Sequence, residues 1–231
     1  MRRGRDYLLV TNGVVGTAGF GNHKHNDQLG FEYHVDGAPV FVDPGSYVYT
    51  SDPAARNLFR STRSHNTVSI DGEEQNELRP DGLFRMFERA NPQHLEVDEQ
   101  GECMKYRGRH RGYMRLPQPV VVERTFTLSR RDGAITIADV LDGEGTHRIR
   151  WHFHFAPEVE VTIAGGDRIE IRAGATMLEM SIAASLRPTL ATAWYSPSYG
   201  VRRPCVCLDL ESEQRLAGRH EYGFRIAPWT P

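Results

Sequence analysis

Residues 28–37 read QLGFEYHVDG, and this stretch decides the fold class. Apolar side chains occupy its odd positions from Leu29 to Val35, and mostly polar residues or glycine occupy the positions between them. A period of two places the apolar side chains on one face of a β-strand. The stretch ends in Asp36-Gly37, a dipeptide typical of tight hairpin turns. The sequence therefore predicts an antiparallel strand that packs one face on a core.

The same pattern recurs along most of the chain. Residues 148–155, RIRWHFHF, alternate in the same way, and residues 159–164 and 168–172 predict a second hairpin around a Gly-Gly turn. Residues 177–183 predict a further strand, whereas residues 79–118 predict mainly loops. No helical stripe of ten or more residues is present. Short alternating strands with glycine and proline turns predict an all-β fold, a large antiparallel β-sandwich of two sheets.

Composition limits the classes of function. The chain has 231 residues, and we expect a single domain over residues 1–231. Its net charge of -2 gives no sign of a nucleic-acid partner, and no apolar run reaches the ~20 residues of a membrane span. Cys103, Cys205 and Cys207 predict structural thiols without a disulfide framework. Residues 1–10 lack the apolar core of a signal peptide.

The residues that carry chemistry lie between positions 19 and 75. His23 and His25 are two apart, so in an extended chain their rings would lie on one side, about 6 to 7 Å apart. Both could then bind one ion, or one could bind it while the other works beside it. Asp43 at a strand end and His65 are further candidate ligands, and such a donor set suits zinc. His152 and His154 share the spacing but have no acidic neighbour in sequence, which favours an ordinary strand role.

This block resembles the carboxy-terminal domain of the heparinase II/III-like polysaccharide lyases, a family that includes alginate lyases. Four segments carry the resemblance, and together they are specific: residues 19–27, Asp43-Pro44-Gly45, Tyr47-Val48-Tyr49, and residues 60–67, RSTRSHNT. The similarity is sharp over about residues 5–80. It is looser through residues 113–116, Trp151 and residues 196–200.

The resemblance implies an amino-terminal (α/α) toroid followed by a β-sandwich, with the active cleft between the two. By position, His25, Asp43 and His65 correspond to metal ligands, typically of zinc, and His23 corresponds to the histidine that faces the substrate. The implied reaction is β-elimination on a uronate-containing polysaccharide or oligosaccharide. A structural metal that holds loops is favoured over a Lewis-acid role.

The residue types fit this chemistry. The proton beside a uronate carboxylate becomes acidic once that carboxylate is neutralised, and arginine forks or other donors can do this. His23 can exchange a proton near neutral pH, and Tyr47 or Tyr49 could donate to the leaving oxygen. The candidate substrate-binding residues are Asn22, Arg60, Arg63 and Asn66. The alternative is aromatic packing for the tyrosines and ion pairs to Asp52, Glu73 or Glu74 for the arginines, one of which we expect to be structural.

The sequence departs from the family in lacking the toroid. Three hypotheses follow: a domain of a longer lyase, a cleft completed by a partner chain, or a sandwich that binds sugar without cleaving it. We expect the 231 residues alone to have little lyase activity. A cupin-like metal enzyme ranks last, because cupins place a glutamate about four residues after the HxH pair and Glu32 lies farther along the chain. An enzyme of this kind would work in the periplasm or outside the cell.

Overall fold

The computed structural model describes residues 1–17, 20–79 and 82–229. These residues form sixteen strands, one short α-helix and one 3₁₀ turn. The first eight strands are β1 Arg2–Arg3, β2 Asp6–Thr11, β3 Phe20–Gly21, β4 Gly30–Val35, β5 Ala38–Phe41, β6 Val68–Ile70, β7 Met86–Phe87 and β8 Gln93–Asp98. The other eight are β9 Cys103–Tyr113, β10 Val120–Ser129, β11 Ile135–His154, β12 Val159–Ile163, β13 Arg168–Ala173, β14 Thr176–Ser181, β15 Arg187–Ser198 and β16 Val201–Pro228. The all-β prediction is confirmed.

A four-stranded sheet forms one layer, in the order β1-β2-β4-β5. Its central hairpin joins β4 to β5 through the turn predicted from the sequence. Asp36 and Gly37 both have positive φ, 49° and 80°, as a two-residue hairpin turn requires. The buried positions of β4 are Phe31 and Tyr33, together with Gly30, so the predicted inward face is the one that packs.

The second layer is a large antiparallel sheet in the order β12-β13-β14-β16-β11-β10-β9-β8. At its centre β11 and β16 pair continuously from Ile135 opposite Ile226 to His154 opposite Cys207. Because these two strands are much longer than their neighbours, each pairs with different strands along its length. β16 pairs with β14 near its end and with β15 near its start, and β11 pairs with β10 and then with β6. The predicted hairpin over residues 159–172 is confirmed as β12 and β13.

The prediction of mainly loops over residues 79–118 was wrong for its second half. That segment contains β8 and the eleven-residue strand β9. Met104, Gly108 and His110 are among the buried positions of β9. Since glycine and histidine stand where apolar residues would normally mark the inner face, the period of two was hidden.

The two layers pack through a cluster of aromatic rings. Phe31 of β4 contacts Phe41, Phe126 and Phe153, with ring centroids 5.4 to 6.2 Å apart. The layers also join at one edge, where the amide of Val42 donates to the carbonyl of His154 at 3.0 Å. This junction brings the end of β5 against the end of β11, and the candidate site lies beside it.

Arg124 and Asp139 form an ion pair inside the sandwich. Arg124 Nε and Nη2 donate to the two carboxylate oxygens of Asp139 at 2.6 and 2.7 Å, and Trp151 Nε1 donates to the same carboxylate at 2.8 Å. Arg124 Nη1 donates in addition to the carbonyls of Leu29 and Asn66, both at 2.9 Å. The pair therefore ties the large sheet to two loops of the site.

The helix α1, Pro53–Phe59, follows β5 after a loop. Asp52 caps it by accepting a hydrogen bond from the amide of Ala55 at 2.9 Å, and proline stands in its first turn, where no amide donor is needed. The 3₁₀ turn Thr62–Ser64 follows closely. Among the described residues, none of the helical segments has the length and apolar character needed to cross a membrane.

Candidate functional site

Three side chains from separate loops meet beside the junction of the two layers. His25 follows β3, Asp43 follows β5, and His65 follows the 3₁₀ turn. One ligand atom from each lies within 4.8 Å of those of the other two. The loops are fastened to each other, since the amide of Asn26 donates to the carbonyl of Arg60 at 3.0 Å. The structure thus brings together the three residues expected as metal ligands, hereafter the His25 cluster.

His65 and Asp43 form the tightest contact of the His25 cluster. His65 Nδ1 donates to Asp43 Oδ1 at 2.7 Å, and the amide of Gly45 donates to the other carboxylate oxygen at 2.9 Å. Burial opposes a charged imidazole, but the adjacent carboxylate outweighs it and raises the pKa of His65. Burial likewise opposes ionisation of Asp43, yet the charge and hydrogen bond of His65 lower the pKa of Asp43 to about 2. Nε2 of His65 is buried and has no hydrogen-bond partner among the described residues.

His25 is buried with its ring 5.2 Å from that of His65. Arg56 Nη1 lies 3.3 Å from His25 Nε2, and Ser46 Oγ lies 3.4 Å from the same nitrogen. Burial and the neighbouring His65 lower the pKa of His25 to about 3. A guanidinium only donates, so His25 is neutral here with a lone pair on Nε2. Neutral imidazole is the form in which histidine binds a metal.

The donor set fits a metal ion. Two imidazoles and one carboxylate from separate loops are ligands that suit borderline divalent cations. Nε2 of His65 has no hydrogen-bond partner among the described residues, so this nitrogen is available as a metal ligand. A cation bound through Nε2 of His25 would take the place of the Arg56 contact. In the bound state the ion would supply charge and a crosslink between the three loops.

A cavity of about 240 Å³ lies against the His25 cluster. Its lining includes three carboxylates, those of Asp27, Glu32 and Asp43. Burial raises the pKa of Asp27, and one oxygen of that side chain is buried without a partner among the described residues. Carboxyl groups therefore line this side of the cluster, and a cation bound there would stabilise their ionised forms.

His23 is exposed and does not line this cavity. Its ring contacts Tyr49 edge-on, with centroids 5.0 Å apart, and Phe84 at 5.7 Å. Tyr49 also contacts the exposed Tyr199 at 5.6 Å. The guanidinium of Arg56 lies 4.9 Å from the ring centroid of Tyr49. His23 and His25 occupy a loop and not a strand, which is why one is exposed and the other buried despite their spacing.

Arg56 lies between the His25 cluster and Tyr49. It is fully buried on α1, and it contacts His25 of the cluster, the ring of Tyr49, and the carbonyl of Asn22 at 3.4 Å. Sequence reasoning did not assign it a role in the site, and neither did it identify Phe84. The sign in the sequence was the closeness of Arg56, Arg60 and Arg63 along the chain, but Arg60 is the cap residue after α1 and has other partners.

Tyr47 is placed differently from Tyr49. Its backbone has a positive φ of 55°, and its ring packs on Phe59 with centroids 5.3 Å apart. The guanidinium of Arg202 lies 5.0 Å from the ring centroid of Tyr47, and the Tyr47 carbonyl accepts a hydrogen bond from the amide of Gly200. These contacts match the packing alternative for Tyr47, while Tyr49 stays with His23.

The predicted substrate-binding residues are spread over several environments. Asn22 is exposed next to His23. Arg60 is buried and donates to Asn57 Oδ1 at 2.9 Å and to the carbonyl of Gly82 at 3.0 Å. Arg63 is exposed and lines a different cavity. These placements favour a structural role for Arg60 and leave Asn22 as the member of the set beside His23.

Asn66 uses its side-chain amide to hold strands together. Its Nδ2 donates to the carbonyls of Phe31 and Val42 at 2.7 and 3.0 Å, and its Oδ1 accepts from the amide of His154 at 2.6 Å. A role in substrate binding would require these buried bonds to break, which is costly.

A second group of ligand types lies on the large sheet. The sequence showed no acidic neighbour for His152, but β16 places Asp209 directly opposite it, with His152 Nδ1 2.7 Å from Asp209 Oδ1. Cys207 belongs to the same group, and one ligand atom from each residue lies within 4.8 Å of the others. A contact between positions 57 residues apart depends on strand register, so the sequence contained no local sign of it.

Divalent metal is expected to stabilise the protein through the His25 cluster. Metal at a hundredfold excess over its Kd would add about 2.7 kcal/mol to the free energy of unfolding, because only the folded chain assembles the three ligands. Thermal melting with zinc and with a chelator measures this. The increase in Tm should be smaller in His25→Ala than in the control His94→Ala, whose histidine contacts Tyr106. An equal increase in the two variants would exclude the cluster as a metal site.

The geometry defines an all-β domain in which a carboxylate-lined cavity adjoins a histidine and aspartate cluster, with the exposed His23 and the half-buried Tyr49 near it. The sequence profile described as Heparinase II/III-like, C-terminal matches residues 1–222. The chain therefore belongs to the heparinase II/III-like carboxy-terminal family, as the sequence resemblance indicated. No curated protein sequence matches the chain.

Solved structures share the fold. Heparan sulfate lyase HepC from Pedobacter heparinus is 16% identical with a TM-score of 0.77, covering 97% of this chain and 33% of that one. The heparinase III product of BT4657 is 18% identical with a TM-score of 0.79, covering 96% of this chain and 32% of that one. Another heparinase III structure is 16% identical with a TM-score of 0.79, covering 96% and 33%. This chain thus spans about a third of the length of these lyases.

Proposed function

We propose that this domain forms one wall of the active cleft of a polysaccharide lyase that cleaves uronate-containing glycans by β-elimination. A base removes the proton beside the uronate carboxylate, an acid protonates the glycosidic oxygen, and an unsaturated sugar remains. The observation that carries the proposal is the pairing of His23 with Tyr49. The exposed imidazole of His23 meets the half-buried phenol ring of Tyr49 edge-on, with centroids 5.0 Å apart, and the guanidinium of the buried Arg56 lies 4.9 Å from the Tyr49 ring.

His23 and Tyr49 fit the two proton transfers. An exposed imidazole can accept or donate a proton near neutral pH, and a phenol beside it can donate to a leaving oxygen. Arg56 lies 4.9 Å from the Tyr49 ring, where its positive charge favours a phenolate formed during turnover. Arg56 also donates to the carbonyl of Asn22 at 3.4 Å, so it joins Tyr49 to the loop that carries both His23 and His25.

The surface beside His23 suits an anionic sugar. A groove of about 440 Å³ is lined by His23, Asn22, Lys24 and Phe20, among others. Lys24 supplies a cation for a uronate carboxylate, and Asn22 supplies donors. Phe20 is exposed and stacks edge-on with the exposed Phe87 at 5.6 Å, which gives an apolar face for a sugar ring. These groups replace Arg60 and Arg63 as the nearest candidates for substrate binding.

The ion in the His25 cluster is proposed to be zinc, with a structural role. Its three ligands come from three loops. Arg56 joins the loop of His25 to Tyr49, because it contacts both the carbonyl of Asn22 and the Tyr49 ring. Holding them fixes the position of the proton-transfer pair, since catalysis depends on placement to within a fraction of an ångström. A glycan of this kind is found outside the cytoplasm, so we also propose a periplasmic or extracellular location.

The proposal is tested by reconstitution of the cleft. The 231-residue chain is incubated with heparan sulfate, with alginate or with an acidic bacterial exopolysaccharide, and the ultraviolet absorbance of unsaturated uronate is followed. A parallel set adds the (α/α) toroid of the same organism, fused or as a separate chain. We expect product only when both domains are present, because the toroid supplies the other wall.

Two results would contradict this prediction. Product from the 231-residue chain alone would show that the cleft is not divided between two domains. No product from the combined domains with any of the polymers would remove the lyase proposal. Glycan binding without product would then favour the non-catalytic sugar-binding alternative.

A further inference from the structure

A cavity of about 290 Å³ opens on the large sheet, away from the groove beside His23. Its walls come from the end of α1 and the segment that follows it, and from β11, β15 and β16. The titratable side chains of its lining are those of Arg63, Arg150, His152, His154, Cys207 and Asp209. None of these residues is used by the proposed elimination chemistry.

Strand register builds a square of four potential ligand residues at this cavity. On β11, His152 and His154 are two apart and share a face; on β16, Cys207 and Asp209 do the same. The antiparallel pairing places His152 opposite Asp209 and His154 opposite Cys207. The histidine pair of β11 and the Cys207 and Asp209 pair of β16 therefore lie next to each other and bring two imidazoles, one thiol and one carboxylate together.

The contacts within the square converge on one oxygen. His152 Nδ1 lies 2.7 Å from Asp209 Oδ1, and the thiol of Cys207 donates to the same oxygen at 3.4 Å. His152 and Cys207 are buried, and Asp209 is largely so. Metal binding would release the thiol proton of Cys207, and the proton on Nδ1 of His152 would move to Nε2, where Ser69 Oγ can accept it. The Asp209 oxygen would then contact the cation in place of the two hydrogen bonds.

Neighbouring groups hold the two imidazoles in place. Ser69 Oγ lies 2.9 Å from Nε2 of His152, and Nε2 of His154 donates to the carbonyl of Arg63 at 3.0 Å. A ligand histidine is usually fixed by such a bond on its other nitrogen. His154 Nδ1 is buried and without a partner among the described residues, and its Nε2 lies 3.6 Å from Cys207 Sγ.

We propose that His152, Cys207 and Asp209, hereafter the Cys207 cluster, form a second metal site that binds zinc or another thiophilic divalent cation. The ligands are Nδ1 of His152, Sγ of Cys207 and the carboxylate of Asp209, with a fourth position open to the cavity. Ligand bonds of about 2.0 to 2.3 Å in a tetrahedron separate donor atoms by about 3.3 to 3.6 Å. The sulfur to oxygen distance of 3.4 Å already matches, and the His152 to Asp209 contact widens by about half an ångström.

Two other interpretations fit less well. A second histidine and aspartate pair, His147 with Asp71, has both imidazole nitrogens bonded, as His152 also has. Among the described residues no cysteine forms a hydrogen bond with it, so the thiol is what separates the Cys207 cluster from a purely structural pair. A nucleophilic Cys207 would need a thiolate stabilised by its histidine neighbour. Burial raises the pKa of Cys207 and lowers that of His154 to about 4, which disfavours such a charged pair.

Cobalt(II) titration of the 231-residue chain tests the site. A thiolate ligand gives cobalt an intense charge-transfer band in the near ultraviolet, and the His25 cluster, which has no thiol, cannot produce one. We expect this band in the parent chain and its complete loss in Cys207→Ser. Cys205→Ser is the matched control, because Cys205 is buried two residues earlier on the same strand and should keep the band. Asp43→Asn should also keep it, so the result is independent of the His25 cluster and of the proposed lyase function.

Absence of the band in the parent chain, or its persistence in Cys207→Ser, would exclude the site. Circular dichroism and Tm establish that each variant folds. If Cys207→Ser does not fold, Asp209→Asn keeps the thiol and is expected to weaken cobalt binding more than about tenfold, the low end for losing even an outer partner of a metal site. Unchanged affinity in a folded Asp209→Asn would also overturn the proposal.

Discussion

Replacing Asp139 by alanine is expected to lower the free energy of unfolding by about 3–5 kcal/mol. Arg124 and Asp139 are 1% and 0% exposed, and two short charge-assisted bonds join them. Removing the carboxylate leaves a buried guanidinium without its counter-charge, and it also removes the acceptor of Trp151 Nε1. The effect should extend to the site, because Arg124 also donates to the carbonyls of Leu29 and Asn66.

Urea unfolding of Asp139→Ala measures this loss, and Glu158→Ala is the control. Glu158 pairs with Arg203 at 2.7 Å, but these side chains are 64% and 51% exposed. An exposed pair contributes about 0 to 1 kcal/mol, so the control should change stability little. Equal losses in the two variants would contradict the view that the buried pair stabilises the sandwich.

Replacing His23 by alanine is expected to lower kcat by about 10²- to 10⁴-fold in the reconstituted lyase, the usual contribution of a positioned acid or base. Tm should stay nearly unchanged, since the side chain is exposed and its described contacts are edge-on rings. In His25→Ala, by contrast, Tm should fall even without substrate, because a buried metal ligand is lost.

His94→Ala is the matched control for His23→Ala. His94 is also exposed, and it also meets a tyrosine edge-on, with its ring centroid 5.8 Å from that of Tyr106. If histidine acts only as a surface aromatic, the two variants should have the same kcat. Normal turnover in a folded His23→Ala would remove this residue from the mechanism and leave Tyr49 as the candidate in this domain.

Local pattern predicted the parts of the fold that depend on neighbouring residues. The alternation ending at Asp36-Gly37 correctly gave a strand and its turn, because the strand period and hairpin preferences act over a few residues. Strand β9 escaped prediction because Gly108 and His110 fill its inner face. Helix α1 also went unpredicted, since seven residues are too few for a clear helical stripe.

The candidate site, too, was predicted from the sequence in part. The residue types of the block, with the family resemblance they carry, identified His25, Asp43 and His65 as a possible metal set, and the structure brings their ligand atoms together. Sequence spacing alone paired His23 with His25 on one side of an extended chain. The loop instead exposes His23 and buries His25, because backbone direction there is set by tertiary contacts such as Asn26 to Arg60.

By itself the sequence determined the fold class, the family and the set of residues able to bind a metal, since these depend on periodicity and residue type. Only the tertiary structure decided that Arg60 and Asn66 are committed to backbone carbonyls and amides, and that Arg56 lies between His25 and Tyr49. It also decided that Asp209 faces His152. Such contacts depend on strand register and loop packing over long separations, and no local pattern of side chains encodes them.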